Sequence, residues 1–154
     1  MHGLVRGVPP TLDLARESAL QRVLVAGASQ RLFKSAHDCA EGGVAVTLAE
    51  CCFNGTPGVD VDLPLVDAEP GFGDVATLFG ESASRAVVSV GAGREHEALE
   101  LARKEGVSAL VIGRVGGGRV RLSVGGRQVI DETVESAERV WDGAIASRFE
   151  RTVA

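Results

Sequence analysis

The segment from Val59 to Leu63 constrains the fold more than any other, because apolar and acidic residues alternate in it without exception. Successive side chains of a β-strand point to opposite faces of the sheet, so the three apolar side chains share one face and the two aspartates share the other. This pattern predicts a strand with one solvent-exposed face. A sheet built from such strands needs a layer of helices or a second sheet to cover its apolar face.

Helical patterns occur on both sides of this strand. The first follows Pro9-Pro10-Thr11, where Pro suits a first helical turn and Thr or Asp can cap it. Another is closed by Gly106, which suits the turn after a helix. The predicted helices are Leu12–Gly27, about Val44–Phe53, Asp74–Phe79, Arg94–Lys104 and about Val134–Phe149.

The remaining apolar segments predict strands and give the fold class. Ala109–Val115 and Val120–Val124, joined by Gly116-Gly117-Gly118, indicate a β-hairpin. Further strands are predicted at Leu32–Ala36, Ala86–Val90 and near Val129-Ile130. Strands and helices mix without regular alternation, and no linker divides the chain. We therefore expect a single α+β domain over residues 1–154, with a mixed sheet of four or five main strands covered by helices.

Composition narrows the classes of function. The net charge is -5 and no long run of Lys or Arg occurs, which argues against nucleic acid or a membrane surface as the main partner. A phosphorylated ligand stays compatible, since it needs only a few local cations or a helix N-terminus. Cys39, Cys51 and Cys52 form neither a disulfide framework nor a CxxC metal motif, so we expect free thiols in the cytoplasm.

The segment from Ser35 to Gly43 is the first candidate for chemistry, because polar residues and a Gly pair meet at a predicted strand-to-helix junction. Asp38 offers a carboxylate suited to magnesium, and His37 could hydrogen-bond a phosphate or a substrate amide. Gly42-Gly43 would let backbone N–H groups approach an anion closely. The structural alternative is that Asp38 caps the helix and the Gly pair makes a tight turn.

A second candidate segment runs from Leu78 to Arg85. Glu81 could ligate a metal, and Arg85 could pair with a phosphate or with Glu81. The alternative is a polar loop held by an Arg–Glu pair. Two other features favour structural roles: Cys39 is too close in sequence to His37 for a nucleophile–base pair, and Trp141 indicates a packing anchor.

Taken together, residues Ser35 to Glu50 resemble the S-A-H-D-x-S-E-G-G-L-A-V-A-L-A-E signature of the carboxy-terminal domain of the phosphoribosylformylglycinamidine synthase family, within the wider aminoimidazole ribonucleotide (AIR) synthase superfamily. Leu78 to Arg85 is similar to the family's L-F-x-E-S-x-x-R segment, and Gly7 to Leu14 to its G-x-P-P-x-L-D-L entry. Ile112 to Val115 with its glycine turn matches a late hairpin. One departure is Cys39-Ala40, which replaces an aliphatic-Ser pair and removes a hydroxyl.

The resemblance implies an α/β/α layered domain that contributes to a cleft for ATP and Mg²⁺. Asp38, Gly80 and Glu81 would contact the nucleotide, with Asp38 and Glu81 touching the metal, and the residues placed near the substrate would be His37, Ser82 and Arg85. The reaction would be the ATP-dependent amidation of formylglycinamide ribonucleotide in purine biosynthesis.

The implied partners are the amino-terminal domains of the same enzyme, a glutaminase subunit and a small accessory subunit. The resemblance also implies that this chain is catalytically incomplete alone, because the family's catalytic histidine lies in the amino-terminal part. Two alternatives stay open: a non-catalytic interaction domain that forms homodimers and binds no nucleotide, and the equivalent domain of another enzyme of the superfamily.

Overall fold

The computed structural model describes residues 11–55 and 57–150. Six helices and six strands alternate irregularly along this part of the chain, which confirms the α+β class. The helices are α1 (Leu14–Ser29), α2 (Gly43–Glu50), α3 (Gly73–Phe79), α4 (Glu95–Lys104), α5 (Val134–Gly143) and α6 (Ala146–Glu150). The strands are β1 (Phe33–Asp38), β2 (Val59–Leu63), β3 (Ala86–Val90), β4 (Gly113–Val115), β5 (Arg119–Val124) and β6 (Arg127–Thr133).

The strands form two sheets and not the one mixed sheet expected. The smaller sheet pairs β1 with β3 in antiparallel fashion, and the larger has the order β4-β2-β5-β6. Strand β2 runs parallel to β5 and antiparallel to β4. The larger sheet is therefore mixed.

The core forms between the apolar face of the larger sheet and α2. Val59, Val61 and Leu63 are each 5% exposed, which confirms the alternation read from the sequence. Their neighbours on β5 are Val120, Leu122 and Val124, with Val61 opposite Leu122. Helix α2 adds Val44, Ala45 and Leu48, and Cys52 and Phe53 follow it into the same cluster. Burial of small aliphatic side chains thus supplies most of the hydrophobic stabilisation.

The predicted hairpin of Ala109–Val115 with Val120–Val124 is wrong. Strand β4 pairs with β2, and β2 lies between β4 and β5. The beginning of β2 enters the glycine loop: the N–H of Gly58 donates to the carbonyl of Gly117 (2.9 Å), and the N–H of Gly116 donates to the carbonyl of Gly58 (2.7 Å). The glycine loop therefore connects β4 and β5 around the beginning of β2 and does not close a hairpin between them.

The hairpin of this sheet joins β5 to β6. Its two turn residues, Gly125 and Gly126, have φ values of +57° and +79°. Two consecutive residues with positive φ are the requirement of the turns that match the twist of antiparallel strands. Asp13 caps α1 by accepting from the N–H groups of Ala15 and Arg16, which agrees with the expected Thr or Asp cap. The last predicted helix differs from the expectation, because it is broken near Ala144. The entry signal Pro9-Pro10 lies outside the described residues.

Near the candidate site, helices α2 and α3 approach each other most closely at Gly43. Its φ is +67°, and a Cβ there would lie 2.8 Å from backbone atoms of Leu78 and Phe79 at the end of α3. No side chain fits between the start of α2 and the end of α3. This close approach places the two candidate segments beside each other.

We predict that Gly43→Ala lowers the free energy of unfolding by about 3 kcal/mol, since it combines a disfavoured φ with a backbone clash. Gly93→Ala is the matched control, because Gly93 also has a positive φ (+81°) but nothing lies within 4 Å of its Cβ position. The control should cost about 1 kcal/mol. Urea unfolding measures both values, and equal losses would contradict the packing argument.

Candidate functional site

The strand-to-helix junction and the Leu78–Arg85 segment are neighbours in the structure. Strand β1 ends at Asp38, and Asp38 lies opposite Ala86 of β3. The N–H of Cys39 donates to the carbonyl of Arg85 at 3.0 Å, which extends the pairing by one residue. Antiparallel pairing therefore brings the end of one segment to the end of the other.

A second hydrogen bond joins the segments directly. The N–H of Gly42, the residue that precedes α2, donates to Oε1 of Glu81 at 2.9 Å. A carboxylate at a helix start is favourable, because it accepts from an otherwise unpaired N–H and faces the positive end of the helix dipole. Glu81 thus acts as a cap that comes from another part of the chain.

Asp38 does not cap α2, so that alternative is wrong. Its side chain is 76% exposed, and the cap position is occupied by Gly42 with a φ of +77°. The other half of the alternative is confirmed, since Gly42 and Gly43 both adopt positive φ and form the tight turn. Asp38 is left at the rim of the sheet, where its carboxylate is exposed and its Oδ1 lies 3.6 Å from Nδ1 of His37.

The imidazole of His37 lies between two oxygen atoms. Its Nδ1 is 2.8 Å from the carbonyl oxygen of Asp38, and its Nε2 is 3.5 Å from Oε2 of Glu50. Glu50 is the last residue of α2, and its Oε1 accepts from Nε1 of Trp141 at 3.1 Å. His37, Glu50 and Trp141 therefore form one polar chain from β1 through α2 to α5.

An open groove of about 470 Å³ runs along this chain of contacts. A neighbouring groove of about 700 Å³ shares His37, Glu50 and Trp141 with it. The first groove is lined by His37, Asp38, Ala40, Glu41, Gly42, Val46, Thr47, Glu50 and Trp141. It therefore follows the strand-to-helix junction closely.

Of the predicted site residues, His37 and Asp38 line the groove. Gly80, Glu81, Ser82 and Arg85 are not among the described residues that form its walls. Glu81 reaches the rim through Gly42, and Ser82 is exposed in the loop that follows. The structure thus brings the two segments into contact without placing all six residues in one groove.

Arg85 does not form the ion pair with Glu81 that was one of its two predicted contacts. Its Nη2 donates to the carbonyl of Gly80, its Nε is buried without a hydrogen-bond partner in the described structure, and no ion pair with Glu81 forms among the described residues. Gly80 itself ends α3, where a Cβ would lie 2.3 Å from the carbonyl oxygen of Ala76. Arg85 therefore braces the loop that carries Glu81 and Ser82.

Sequence reasoning did not select Glu50 or Trp141 as site residues. Trp141 does pack against Phe53, with ring centroids 5.6 Å apart, but its side chain is also 55% exposed and lines both grooves. Glu50 is the last residue of the family signature that begins at Ser35, and this is the sequence feature that points to it. Nothing in the spacing of the sequence indicates that Trp141, on a helix 91 residues later, meets Glu50.

Cys39 is unsuited to nucleophilic catalysis. It is 5% exposed, and burial raises the pKa of its thiol, which disfavours the reactive thiolate. The His37 ring is directed to Asp38 and Glu50. The described residues contain no group of three or more His, Cys, Asp or Glu side chains arranged to hold a metal. An ion held by one or two carboxylates and ligand oxygens is a different type of site.

The comparison with protein families identifies the chain. Residues 2–125 match the family described as AIR synthase related protein, C-terminal domain. The chain belongs to this family. It is 42% identical over 144 residues to phosphoribosylformylglycinamidine synthase subunit PurL of Moorella thermoacetica, which covers 94% of this chain and 19% of that protein. It is 45% identical over 124 residues to the PurL subunit of Thermobifida fusca, which covers 79% of this chain and 15% of that protein.

Solved structures agree with the family's fold. T. maritima PurL complexed with ADP superposes with a TM-score of 0.73 at 25% identity, over 83% of this chain and 22% of that one. The complex with ATP gives 0.70 at 23% identity, over 86% and 23%. PurLQS from Thermotoga maritima gives 0.71 at 24% identity, over 83% and 22%. The chain spans about a fifth of the length of the relatives it matches. None of its described helices is long and apolar enough to cross a membrane.

We predict that Glu81→Ala lowers the free energy of unfolding by about 1 kcal/mol, because the N–H of Gly42 loses its acceptor. Ser82→Ala is the matched control, since Ser82 is the exposed neighbour in the same loop and should change stability by less than about 0.5 kcal/mol. Urea unfolding of both variants tests the assignment. Equal stability of the two would show that Glu81 does not cap α2.

We predict slow alkylation of Cys52 in the folded chain. Its side chain is fully buried, and burial raises its pKa to about 11, from about 9 for an exposed thiol. At pH 8 the thiolate should be about a hundredfold scarcer than in the unfolded chain. Iodoacetamide labelling followed by peptide mass mapping measures the rate, with the urea-unfolded chain as control.

The same pKa difference has a consequence for stability. Below about pH 9 both states hold the Cys52 proton and the group contributes nothing to pH dependence. Between about pH 9 and 11 the unfolded thiol ionises first, so the free energy of unfolding should fall as pH rises. Labelling at equal rates in the folded and unfolded chains would contradict both statements.

Proposed function

We propose that this chain forms one wall of the ATP- and Mg²⁺-binding cleft of a phosphoribosylformylglycinamidine synthase. The enzyme would amidate formylglycinamide ribonucleotide at the expense of ATP, in de novo purine biosynthesis in the cytoplasm. ATP would activate the formamide oxygen as a phosphate, and ammonia would displace that phosphate. In such chemistry the protein contributes mainly positioning and charge neutralisation.

The observation that carries the proposal is the contact between the two signature segments. Asp38 ends β1, and Glu81 lies in the loop after α3 and contacts the start of α2. The two residues therefore flank the same turn, which contains Gly42 and Gly43. Two carboxylates beside backbone N–H groups at a helix start suit a cation that bridges protein and phosphate oxygens. Family membership and the likeness to PurL subunits support the same assignment.

The capping contact favours a particular arrangement of the nucleotide. Because Glu81 already accepts from Gly42, a phosphate placed directly there would meet a carboxylate of the same charge. Mg²⁺ between Glu81, Asp38 and the phosphate oxygens would remove that repulsion. We therefore assign Asp38 and Glu81 to the metal, and Gly80 to the backbone that lines the nucleotide.

The substrate side of the cleft would use His37, Ser82 and Arg85. His37 lines the groove and Ser82 is exposed in the adjoining loop. Arg85 braces that loop through Gly80 and would meet the substrate phosphate only if its guanidinium turned outward. Of these three residues, Arg85 is the one that would have to give up an observed contact, its hydrogen bond to Gly80, in order to bind the substrate.

The partners follow from the size of the relatives. Since the chain spans about a fifth of a PurL subunit, the remaining domains would complete the cleft and supply the catalytic histidine. A glutaminase and a small accessory subunit would deliver ammonia, in line with the PurLQS assembly of Thermotoga maritima. The isolated chain would then have no amidation activity.

The first test is calorimetric titration of the chain with Mg-ATP. We expect saturable binding that Asp38→Asn weakens at least about tenfold, because the metal loses a charged ligand. Asp67→Asn is the matched control, since it removes an exposed carboxylate from the connection between β2 and α3. It should leave affinity unchanged.

The titration is repeated with the remaining domains of the enzyme added. Binding that appears only then indicates a cleft shared between domains. If neither titration shows binding by a folded chain, or if both variants bind as tightly as wild type, the proposed site is wrong. The non-catalytic interaction domain then becomes the better account.

A further inference from the structure

The Glu50 side chain contacts two aromatic rings from two different elements, Trp141 of α5 and His37 of β1. Its Oε1 accepts from Nε1 of Trp141 at 3.1 Å, while its Oε2 lies 3.5 Å from Nε2 of His37. The two oxygens are therefore assigned to two different groups, from α5 and from β1. The hydrogen bond from Trp141 orients the carboxylate, and its second oxygen then faces the imidazole.

The location of Glu50 makes this contact pattern informative. It is the last residue of α2, where the negative end of the helix dipole disfavours a carboxylate. Its side chain is 28% exposed, so solvent compensates only in part. The nearby indole N–H offsets part of this cost, and the facing imidazole would do so when it donates. The hydrogen bond from Trp141 is therefore the contact that favours Glu at this position.

Trp141 is held in place independently of Glu50. Its ring packs against Phe53, which is 6% exposed. The same helix is anchored once more where Oε1 of Glu138 accepts from the N–H of Asn54 at 2.8 Å. Helix α5 thus provides a fixed hydrogen-bond donor, the indole N–H of Trp141, and this donor fixes the Glu50 carboxylate beside the groove.

We propose that Glu50 is a positioning residue: it holds the His37 imidazole against the groove, and Trp141 holds Glu50. The ring is then held at Nδ1 by its hydrogen bond with the Asp38 carbonyl, and its Nε2 faces Glu50 at 3.5 Å, a contact that becomes an ion pair when both ring nitrogens carry protons. The consequence for ligand binding rests on the proposed function, in which His37 contacts the substrate beside the nucleotide. A ligand that meets a pre-oriented ring does not bear the cost of ordering it.

Two substitutions separate the two contacts. Glu50→Ala removes both, whereas Glu50→Gln keeps an oxygen for the Trp141 N–H and loses the negative charge facing His37. Glu100→Gln is the matched control, because Glu100 pairs with Arg103 on the distant helix α4. Trp141 is the sole tryptophan, so its quenching by acrylamide reports that contact alone. The His37 ring resonances, assigned with His37→Asn and recorded at one pH, report the other.

We expect Glu50→Ala to raise the acrylamide quenching of Trp141 about twofold and to shift the His37 resonances. Glu50→Gln should restore the quenching to the wild-type value but not the His37 resonances. Affinity for Mg-ATP together with formylglycinamide ribonucleotide, measured with the remaining domains present, should fall about three- to tenfold in both variants. Glu100→Gln should match wild type in all three measurements.

Three outcomes would overturn the proposal. His37 resonances that are unchanged in both Glu50 variants would show that Glu50 does not hold the ring. Wild-type affinity in both variants would show that the contact has no role in binding. A loss confined to Glu50→Ala would assign the effect to the Trp141 contact alone. Failure of the proposed function is a separate result: wild-type protein binds neither ligand, while the resonances and the quenching still decide whether Glu50 bridges the two rings.

Discussion

The close approach of α2 to the end of α3 is the constraint on which the candidate site depends. Gly43 lies against the backbone of Leu78 and Phe79, and a side chain there has no space. The approach puts the start of α2 next to the loop that carries Glu81, so that a backbone N–H and a carboxylate distant in sequence meet at 2.9 Å. The antiparallel pairing of β1 with β3 then fixes the rim on which Asp38 stands.

Local patterns were sufficient for most helices and strands. The alternation from Val59 to Leu63 and the apolar run from Ala86 to Val90 correspond to strands with the same bounds. Strand pairing was harder, because a glycine loop such as Gly116-Gly117-Gly118 is compatible with more than one partner. The insertion of β2 depends on Gly58 and Gly113, where backbones approach so closely that a Cβ would lie 2.1 Å from a carbonyl oxygen. Such long-range contacts leave no periodic signal.

The same division applies to the site. The residue types and the Gly pair located the junction, and the family resemblance selected the segment from Leu78 to Arg85. Local sequence offers Asp38 as a possible cap for α2, whereas the structure uses Glu81, a carboxylate 39 residues from Gly42. Glu50 and Trp141 were missed for a similar reason, since their contact spans α2 and α5. Polar networks between elements follow from the tertiary fold, and local sequence does not reveal them.

The parallel pairing of β2 with β5 has a consequence for synthesis of the chain. Val61 and Leu122, neighbours in the core, are about sixty residues apart along the polypeptide. A ribosome that adds roughly 5–20 residues per second synthesises β5 several seconds after β2. During that interval β2 lacks β5, its parallel neighbour in the sheet, and closing so long a loop is slow. The nascent chain therefore passes through a stage in which its core is incomplete, and the apolar side chains that β5 will cover are accessible to chaperones and to other nascent chains.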